Sequence, residues 1–251
     1  MANNEILMSG HSQFKNIMYR KGAQDARKAK VFAKISREIV VAVKEGGADP
    51  ESNTRLRSAL LSARSENMPK DNVDRAIKKA LGGEENAEYH SVCYEGYGPG
   101  GVAIIVEGLT DNKNRTAPEI RSAFSKFGGN LGEANSVSFQ FEHIGYVSYP
   151  RESASEDAMF DAAIDAGAVD LVSSECFEII CPLEQLSIVR DRLITKFGDP
   201  LEAKVAWRPK NYVSVDAKTV KMLFKLIETL EDNDDIQSVV TNCEIMGPSD
   251  Y

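Results

Sequence analysis

The chain has 251 residues, of which 42% are hydrophobic and 27% are charged, and this composition excludes disordered and fibrous proteins. The longest apolar runs, at 39–43 and 102–106, have five residues each, whereas a membrane-spanning helix needs about 20, so we expect no membrane partner. The first ten residues show no signal-peptide pattern, which favours a cytoplasmic protein, and the net charge of −8 taken alone argues against nucleic-acid binding.

The N-terminal third of the chain is basic, although the whole chain is acidic. Residues 1–84 carry 16 Lys and Arg against 10 Asp and Glu, a net charge of +6, whereas residues 85–251 carry 14 against 28, a net charge of −14. Residues 11–37 contain a single acid, Asp25, and eight basic residues: Lys15, Arg20, Lys21, Arg27, Lys28, Lys30, Lys34 and Arg37. This asymmetry indicates contact with nucleic acid or another anionic surface at one end of the chain. A merely solvated basic helix face is the alternative that charge leaves open.

Three helices are predicted between residues 20 and 84. The first begins near Gln24, and its basic residues fall largely off an apolar stripe formed by Phe32, Ile35, Ile39 and Val43. The second spans 51–67 and the third starts at Pro69. The side chains predicted to face inward on these two helices are Leu56, Leu60, Ala63, Val73, Ile77 and Leu81.

Short strands and amphipathic helices follow residue 84. Within 144–207 the predicted order is strand, helix, strand, strand, helix, strand, which is the ferredoxin-like order. These elements are 146–149, 156–166, 170–172, 176–181, 184–196 and 202–206. The flanking elements are strands 89–97, 102–109, 136–142, 212–215 and 238–245 and helices 117–127 and 217–230. We predict that the flanking strands form a second antiparallel sheet with both helices on one face.

The sequence therefore predicts an α+β fold: an N-terminal three-helix bundle followed by two α/β domains, one of them ferredoxin-like and inserted into the other. The predicted domains are a basic helical domain over 1–84, a discontinuous α/β domain over 85–143 and 208–251, and an inserted domain over 144–207.

The motifs that could carry catalytic or metal chemistry do not have the required spacing. The glycine-rich stretch 98–101 lacks the Gly-Lys-Ser/Thr of a phosphate-binding loop and joins two strands, which favours a hairpin turn. The stretch 232–235 has Gln237 and Cys243 where a calcium loop needs Gly and Glu, which favours an exposed acidic turn. Four scattered cysteines and three scattered histidines fit no zinc site or nucleophile–base pair. We predict reduced, structural cysteines, no catalytic residues, no metal, no cofactor and no enzymatic activity.

Several longer stretches are more specific in combination. They are GHSQFKNI (10–17), RKGAQD (20–25), FAKISREI (32–39), YEGYGPGGVA (94–103), TDNKNRT (110–116) and LEDNDDI (230–236). Together they resemble the YebC/PmpR family over nearly the whole chain from Met8. One departure is Gln13-Phe14, where the family usually shows Lys or Arg and then Trp, so that any stacking there would use a smaller ring.

The resemblance implies three domains and a DNA-binding transcriptional regulator, as members are usually described. Other members are described as ribosome-associated factors that ease translation through proline-rich stretches, and mitochondrial relatives include a translational activator. We therefore expect a regulator of gene expression whose eight basic residues bind phosphates of DNA or, alternatively, of ribosomal RNA, because Lys and Arg bind either. A protein-interaction scaffold is the third hypothesis. We expect a monomer, with the acidic α/β body available to a protein partner.

Overall fold

The computed structural model of the protein describes residues 24–82 and 88–244, and the side chains of 28–82 and 88–244. This part of the chain has the predicted α+β composition. Its helices are α1 (Gln24–Gly46), α2 (Thr54–Ser65), α3 (Lys70–Gly82), α4 (Lys113–Lys126), α5 (Glu156–Ala166), α6 (Leu186–Phe197) and α7 (Ala217–Glu231). Its strands are β1 (His90–Tyr97), β2 (Ala103–Thr110), β3 (Asn130–Leu131), β4 (Phe141–Pro150), β5 (Asp170–Ser173), β6 (Cys176–Cys181), β7 (Glu202–Pro209), β8 (Val213–Ser214), β9 (Ile236–Thr241) and β10 (Cys243–Glu244).

The described residues form two compact units. The first contains residues 24–30, 88–142 and 208–244, and the second contains 31–82 and 143–207. The second unit therefore joins most of the predicted helical domain to the predicted inserted domain, and the division into three domains stays a prediction. No helix of the described ranges is long and apolar enough to cross a membrane.

The buried part of α1 begins only at Ile39. All five residues of 39–43 are buried, whereas Phe32 and Ile35, which we predicted on the same stripe, are only half-buried. The carboxamide oxygen of Asn53 accepts the backbone N–H of Leu56 at 2.9 Å, and this cap explains why α2 begins at Thr54 and not at residue 51. The Asn53 amide nitrogen also donates to the Ala42 carbonyl at 2.7 Å, which ties the start of α2 to the end of α1.

The inward faces of α2 and α3 differ in part from the prediction. Leu56 and Ala63 are buried as predicted, but Leu61 is buried where we predicted Leu60. The prediction for Leu81 was wrong, because its side chain is 65% exposed. Leu81 lies in the last turn of α3, and apolar spacing specifies a helix face without specifying how far the packing partner extends along it.

The first unit contains a four-stranded sheet in the order β3-β1-β2-β9, with each neighbouring pair antiparallel. Alternate residues of β2, represented by Ile104 and Val106, share one buried cluster with Phe124 of α4 and Leu226 of α7. Both helices therefore lie on one face of the sheet, as predicted.

The glycine-rich stretch is a turn between β1 and β2, which confirms the prediction. The backbone N–H of Gly98 donates to the Val102 carbonyl at 2.8 Å, and φ is +75° at Gly100 and +76° at Gly101. A Cβ atom at Gly100 would also lie 2.8 Å from Thr219 Cγ2. Both the backbone conformation and the packing therefore require glycine at this position.

Two predicted strands of this sheet differ in the structure, each because of a side chain. Residues 138–140 form a 3₁₀ turn because Val137 and Ser138 donate their N–H groups to the Glu95 carboxylate and not to a strand. The predicted strand 238–245 is divided by Asn242, whose Oδ1 accepts the Ala103 N–H at 2.8 Å. Beyond it β10 pairs in parallel with β8, the remnant of the predicted strand 212–215.

The second unit contains a sheet in the order β5-β6-β4-β7. Its elements follow one another as strand, helix, strand, strand, helix, strand, which confirms the ferredoxin-like order. The buried cluster beneath α5 and α6 includes Tyr149, Met159, Phe177 and Leu193, and it also includes Leu61 of α2.

We expect residues 144–207, expressed alone, to unfold cooperatively but at a lower temperature than the full chain. The fragment keeps α5, β5, β6 and α6 whole and all but the outer ends of β4 and β7, but it loses Leu61 and the apolar area that it buries. Thermal melts followed by circular dichroism measure both properties. A gradual, non-cooperative melt of the fragment would contradict the predicted domain boundaries.

Candidate nucleic-acid interface

Helix α1 carries the described part of the predicted phosphate-binding segment. Lys15, Arg20 and Lys21 lie outside the described residues, as do Gln13 and Phe14. Arg27 lies in the first turns of α1, with only its backbone described. The other four basic residues, Lys28, Lys30, Lys34 and Arg37, follow on the same helix. Residues 27–37 span about 15 Å along the helix axis, which is long enough to cover several phosphates of one strand.

The basic half of α1 lies at the surface. None of residues 28–38 is buried, and the Lys28 side chain is exposed to solvent. Lys28 has no carboxylate partner within the described residues. Lys34 and Arg37 are half-buried, and each takes part in a polar or electrostatic interaction within the chain. Among the described side chains of the segment, Lys28 is therefore the one best placed to contact phosphate.

Lys30 pairs with the acidic turn that follows α7. Its Nζ atom lies 2.7 Å from Asp232 Oδ1 and donates a longer hydrogen bond of 3.3 Å to the Asp232 carbonyl. Both side chains are substantially exposed to solvent. An exposed ion pair contributes at most about 1 kcal/mol, so a phosphate can replace Asp232 as the partner of Lys30.

The arginines of α2 are already neutralised by carboxylates. Arg55 Nε lies 2.6 Å from Glu38 Oε1, and Arg55 Nη1 lies 2.7 Å from Glu45 Oε2. Arg57 pairs with Asp191 at 3.6 Å, and Arg64 forms an ion pair with Asp199. The net charge of +6 over residues 1–84 therefore overstates the charge that this region offers to a ligand.

Helix α3 adds basic residues that the sequence analysis did not select. Lys70, Arg75 and Lys78 are exposed and have no carboxylate partner in the part of the chain that the structure describes. The sequence signal was present, because residues 70–82 contain four basic residues against two acids. The two acids reduce the net charge of residues 70–82 to +2, against +7 for residues 11–37, and this difference concealed the signal.

Two of the sequence stretches that carry the family resemblance meet at Asp235. Its buried carboxylate oxygen Oδ2 accepts hydrogen bonds from Thr116 at 2.6 Å, Arg115 at 2.7 Å and Thr110 at 3.0 Å. Burial alone would raise the pKa of Asp235, but these donors hold it below the ordinary value. The stretch 232–235 is a helix-to-strand turn as predicted, but the prediction that it is exposed fails at Asp235.

A second buried carboxylate organises the segment that follows β3. Glu95 accepts backbone N–H groups from Ser138 at 2.7 Å, Val137 at 2.8 Å and Asn135 at 2.9 Å. Burial opposes ionisation of Glu95, but the three backbone donors outweigh it and lower its pKa. Glu95 therefore fixes the backbone of residues 135–138.

No disulfide joins the four cysteines, and only two of them are buried. Cys181 and Cys243 each belong to one of the two buried clusters. Burial raises the pKa of each to about 11, so both are protonated at neutral pH. No group of three or more His, Cys, Asp or Glu that could hold a metal ion occurs among the described residues.

Two family models match the chain. The model described as the TACO1/YebC protein N-terminal domain matches residues 12–83, and the model described as the TACO1/YebC second and third domain matches residues 89–243. Among solved structures, a conserved hypothetical protein from Aquifex aeolicus is similar, with 40% sequence identity and a TM-score of 0.84. The alignment covers 92% of this chain and 96% of that one. The resemblance stated from the six sequence stretches is thereby confirmed, and the chain belongs to the TACO1/YebC family.

Proposed function

We propose that this protein is a non-enzymatic, cytoplasmic regulator of gene expression that binds nucleic acid through the basic half of α1. The observation that supports the proposal most is the division of this helix: residues 39–43 are buried, whereas none of residues 28–38 is. Residues 39–43 anchor the helix by their burial, and residues 28–38 carry its basic side chains at the surface. The family model that matches residues 89–243 is named for transcription regulation, which suits a role in transcription.

The acidic remainder of the chain restricts where nucleic acid binds. Residues 85–251 carry a net charge of −14, which repels a polyanion from most of the surface. Long-range electrostatic attraction therefore directs a phosphate backbone to the basic end first. The same acidic surface is available to a protein partner.

The buried ionisable groups support a non-enzymatic role. Asp235 and Glu95 are each bound by three donors from within the chain, so neither carboxylate is available as a general base. The thiols of Cys181 and Cys243 are protonated at neutral pH and are therefore poor nucleophiles.

The target is DNA in the first hypothesis and ribosomal RNA in the alternative. We expect the full chain to bind a nucleic acid with an affinity that falls linearly with salt concentration on logarithmic axes, because each phosphate contact releases counterions. Fluorescence anisotropy with DNA and with ribosomal RNA fragments measures the slope for each.

The two targets differ in a second measurement. Co-sedimentation with ribosomes at low salt, with greater affinity for the RNA fragments, would favour the translational alternative, and binding to DNA without co-sedimentation would favour transcription. Absence of salt-dependent binding to either polymer would contradict the proposal and favour the protein-interaction scaffold.

A further inference from the structure

Two exposed aromatic residues of the first unit are linked through one turn. Tyr97, the last residue of β1, is 37% exposed, and Phe139, in the 3₁₀ turn Ser138–Gln140, is 65% exposed. Gln140 Nε2 donates to the Tyr97 hydroxyl at 3.0 Å, and that hydroxyl donates to the Ser136 carbonyl at 3.3 Å. These hydrogen bonds place the Tyr97 hydroxyl beside the turn that carries Phe139.

The turn that presents Phe139 is held in place. Glu95 binds the backbone N–H groups of residues 135, 137 and 138, and the Gln140 side chain accepts a hydrogen bond from Asn242 Nδ2 at 3.1 Å. Residues on both sides of Phe139 are therefore fixed by buried or half-buried groups. The Phe139 ring is exposed to solvent on an ordered turn, and a ligand that covers the ring buries this apolar area.

A lysine ammonium lies beside the backbone of this turn. Lys210 Nζ donates to the Phe139 carbonyl at 3.2 Å, and the Lys210 backbone N–H donates to the Gln140 carbonyl at 2.8 Å. Within the described residues Lys210 has no carboxylate partner. Its ammonium keeps two N–H donors for a ligand. The neighbouring Arg208 and Glu142 lie 3.9 Å apart and offset each other.

We propose that Tyr97, Phe139 and Lys210 form a site for an unpaired base and its adjacent phosphate in single-stranded nucleic acid. An exposed aromatic ring stacks on a base of any sequence, and a lysine beside it binds the phosphate. A duplex keeps its bases stacked inside, where Phe139 cannot reach them. The inference rests on the proposed function, because α1 supplies the long-range attraction while this site adds a short-range contact on an otherwise acidic unit.

The test is Phe139→Ala in the full chain, with binding measured to a single-stranded 12-mer and to a duplex of the same sequence, each as RNA and as DNA. Stacking of one base predicts a loss of affinity of about 5- to 150-fold for the single strands, with an unchanged salt slope and unchanged duplex binding. Lys210→Ala should lower the salt slope on single strands by about 0.7. The RNA and DNA arms identify which polymer the site prefers.

Two further variants make the result decisive. Phe160→Ala removes a comparably exposed ring, 49% exposed on α5 of the other unit, and should leave every affinity unchanged. Phe139→Trp keeps a stacking surface and should retain single-strand binding. Equal losses on duplex and single strand, or affinities equal to those of the unaltered chain, would overturn the inference. If the unaltered chain binds nucleic acid with a salt-dependent affinity and Phe139→Ala has the same affinity, the single-strand site is wrong and the proposed function stands. If the unaltered chain binds no nucleic acid, the single-strand site and the proposed function are both wrong.

Discussion

Replacing Arg27, Lys28 and Lys34 together by alanine should lower the slope of log affinity against log salt concentration by about two to three units if all three contact phosphate. Each lost phosphate contact removes roughly 0.7 to 0.9 from the slope, because fewer counterions are released on binding. If the two affinities converge near 1 M salt, the variant should bind roughly 45- to 300-fold more weakly near 0.15 M salt. A salt titration by fluorescence anisotropy measures the slope and the affinity in one experiment.

The stability of this variant should change little. Lys28 is exposed, and an exposed helical position tolerates alanine within about 0.5 kcal/mol, since alanine is a good helix former. Lys34 is half-buried and interacts within the chain, so its replacement adds the loss of that one surface interaction, at most about 1 kcal/mol. The matched control replaces Arg121, Lys218 and Lys225 by alanine, which removes the same charge from exposed positions of α4 and α7. The control should keep the full slope. Loss of binding with an unchanged slope would contradict phosphate binding by α1, and a large fall in melting temperature would assign the three residues a structural role.

Elements that depend on local signals could be predicted from the sequence. Helix α5 has the predicted bounds, because the Ser155 side chain caps its first turn and Gly167, at a φ of +107°, ends it. Strand β6 also has the predicted bounds, since it follows the polar pair Ser174-Glu175 and ends before Pro182, which has no backbone N–H to donate to a sheet. In both cases the residues that determine the ends lie within a few positions of the element.

Elements that depend on distant side chains could not be predicted. Residues 136–142 alternate like a strand, but the backbone donors of this segment bind Glu95, which is about 40 residues earlier. Asn242 interrupts the last predicted strand because its side chain pairs with Ala103. The same alternation of apolar and polar residues occurs with or without such a tertiary hydrogen bond. The sequence pattern therefore does not distinguish a continuous strand from an interrupted one.

In the candidate interface, too, some features depend on local sequence and others depend on distant side chains. The position of Lys28 off the apolar stripe follows from helical periodicity and is visible in the sequence. The ion pair of Lys30 with Asp232 joins residues 202 positions apart, and the pairs that neutralise Arg57 and Arg64 also join distant segments. Counting charges along the chain therefore located the basic helix but not the number of its cations that remain available.

Asp235→Ala should be among the most destabilising single substitutions at a polar position. It removes the acceptor of Thr110, Thr116 and Arg115 and leaves two buried hydroxyls with fewer partners. Hydrogen bonds to charged groups contribute about 1.5–3 kcal/mol each, but Arg115 is half exposed and returns to water, so we expect a total loss of about 2–4 kcal/mol. Asp232→Ala, in the same turn, loses only the exposed pair with Lys30 and should cost less than about 1 kcal/mol.

The loss caused by Asp235→Ala should also depend on pH. The pKa of Asp235 is lowered in the folded chain because the donors outweigh its burial, so its contribution to the free energy of unfolding is fully present above the ordinary pKa of an aspartate, about 3.9. That contribution is lost as the pH falls below this value and through the lowered pKa of the folded state, where the carboxylate accepts a proton. Urea denaturation of the variant and the unaltered chain should therefore give a constant difference between about pH 5 and 7 and a shrinking one below about pH 4. A difference that stays constant down to pH 2.5 would mean that the carboxylate charge contributes nothing, and that Asp235 stabilises the turn by its shape alone.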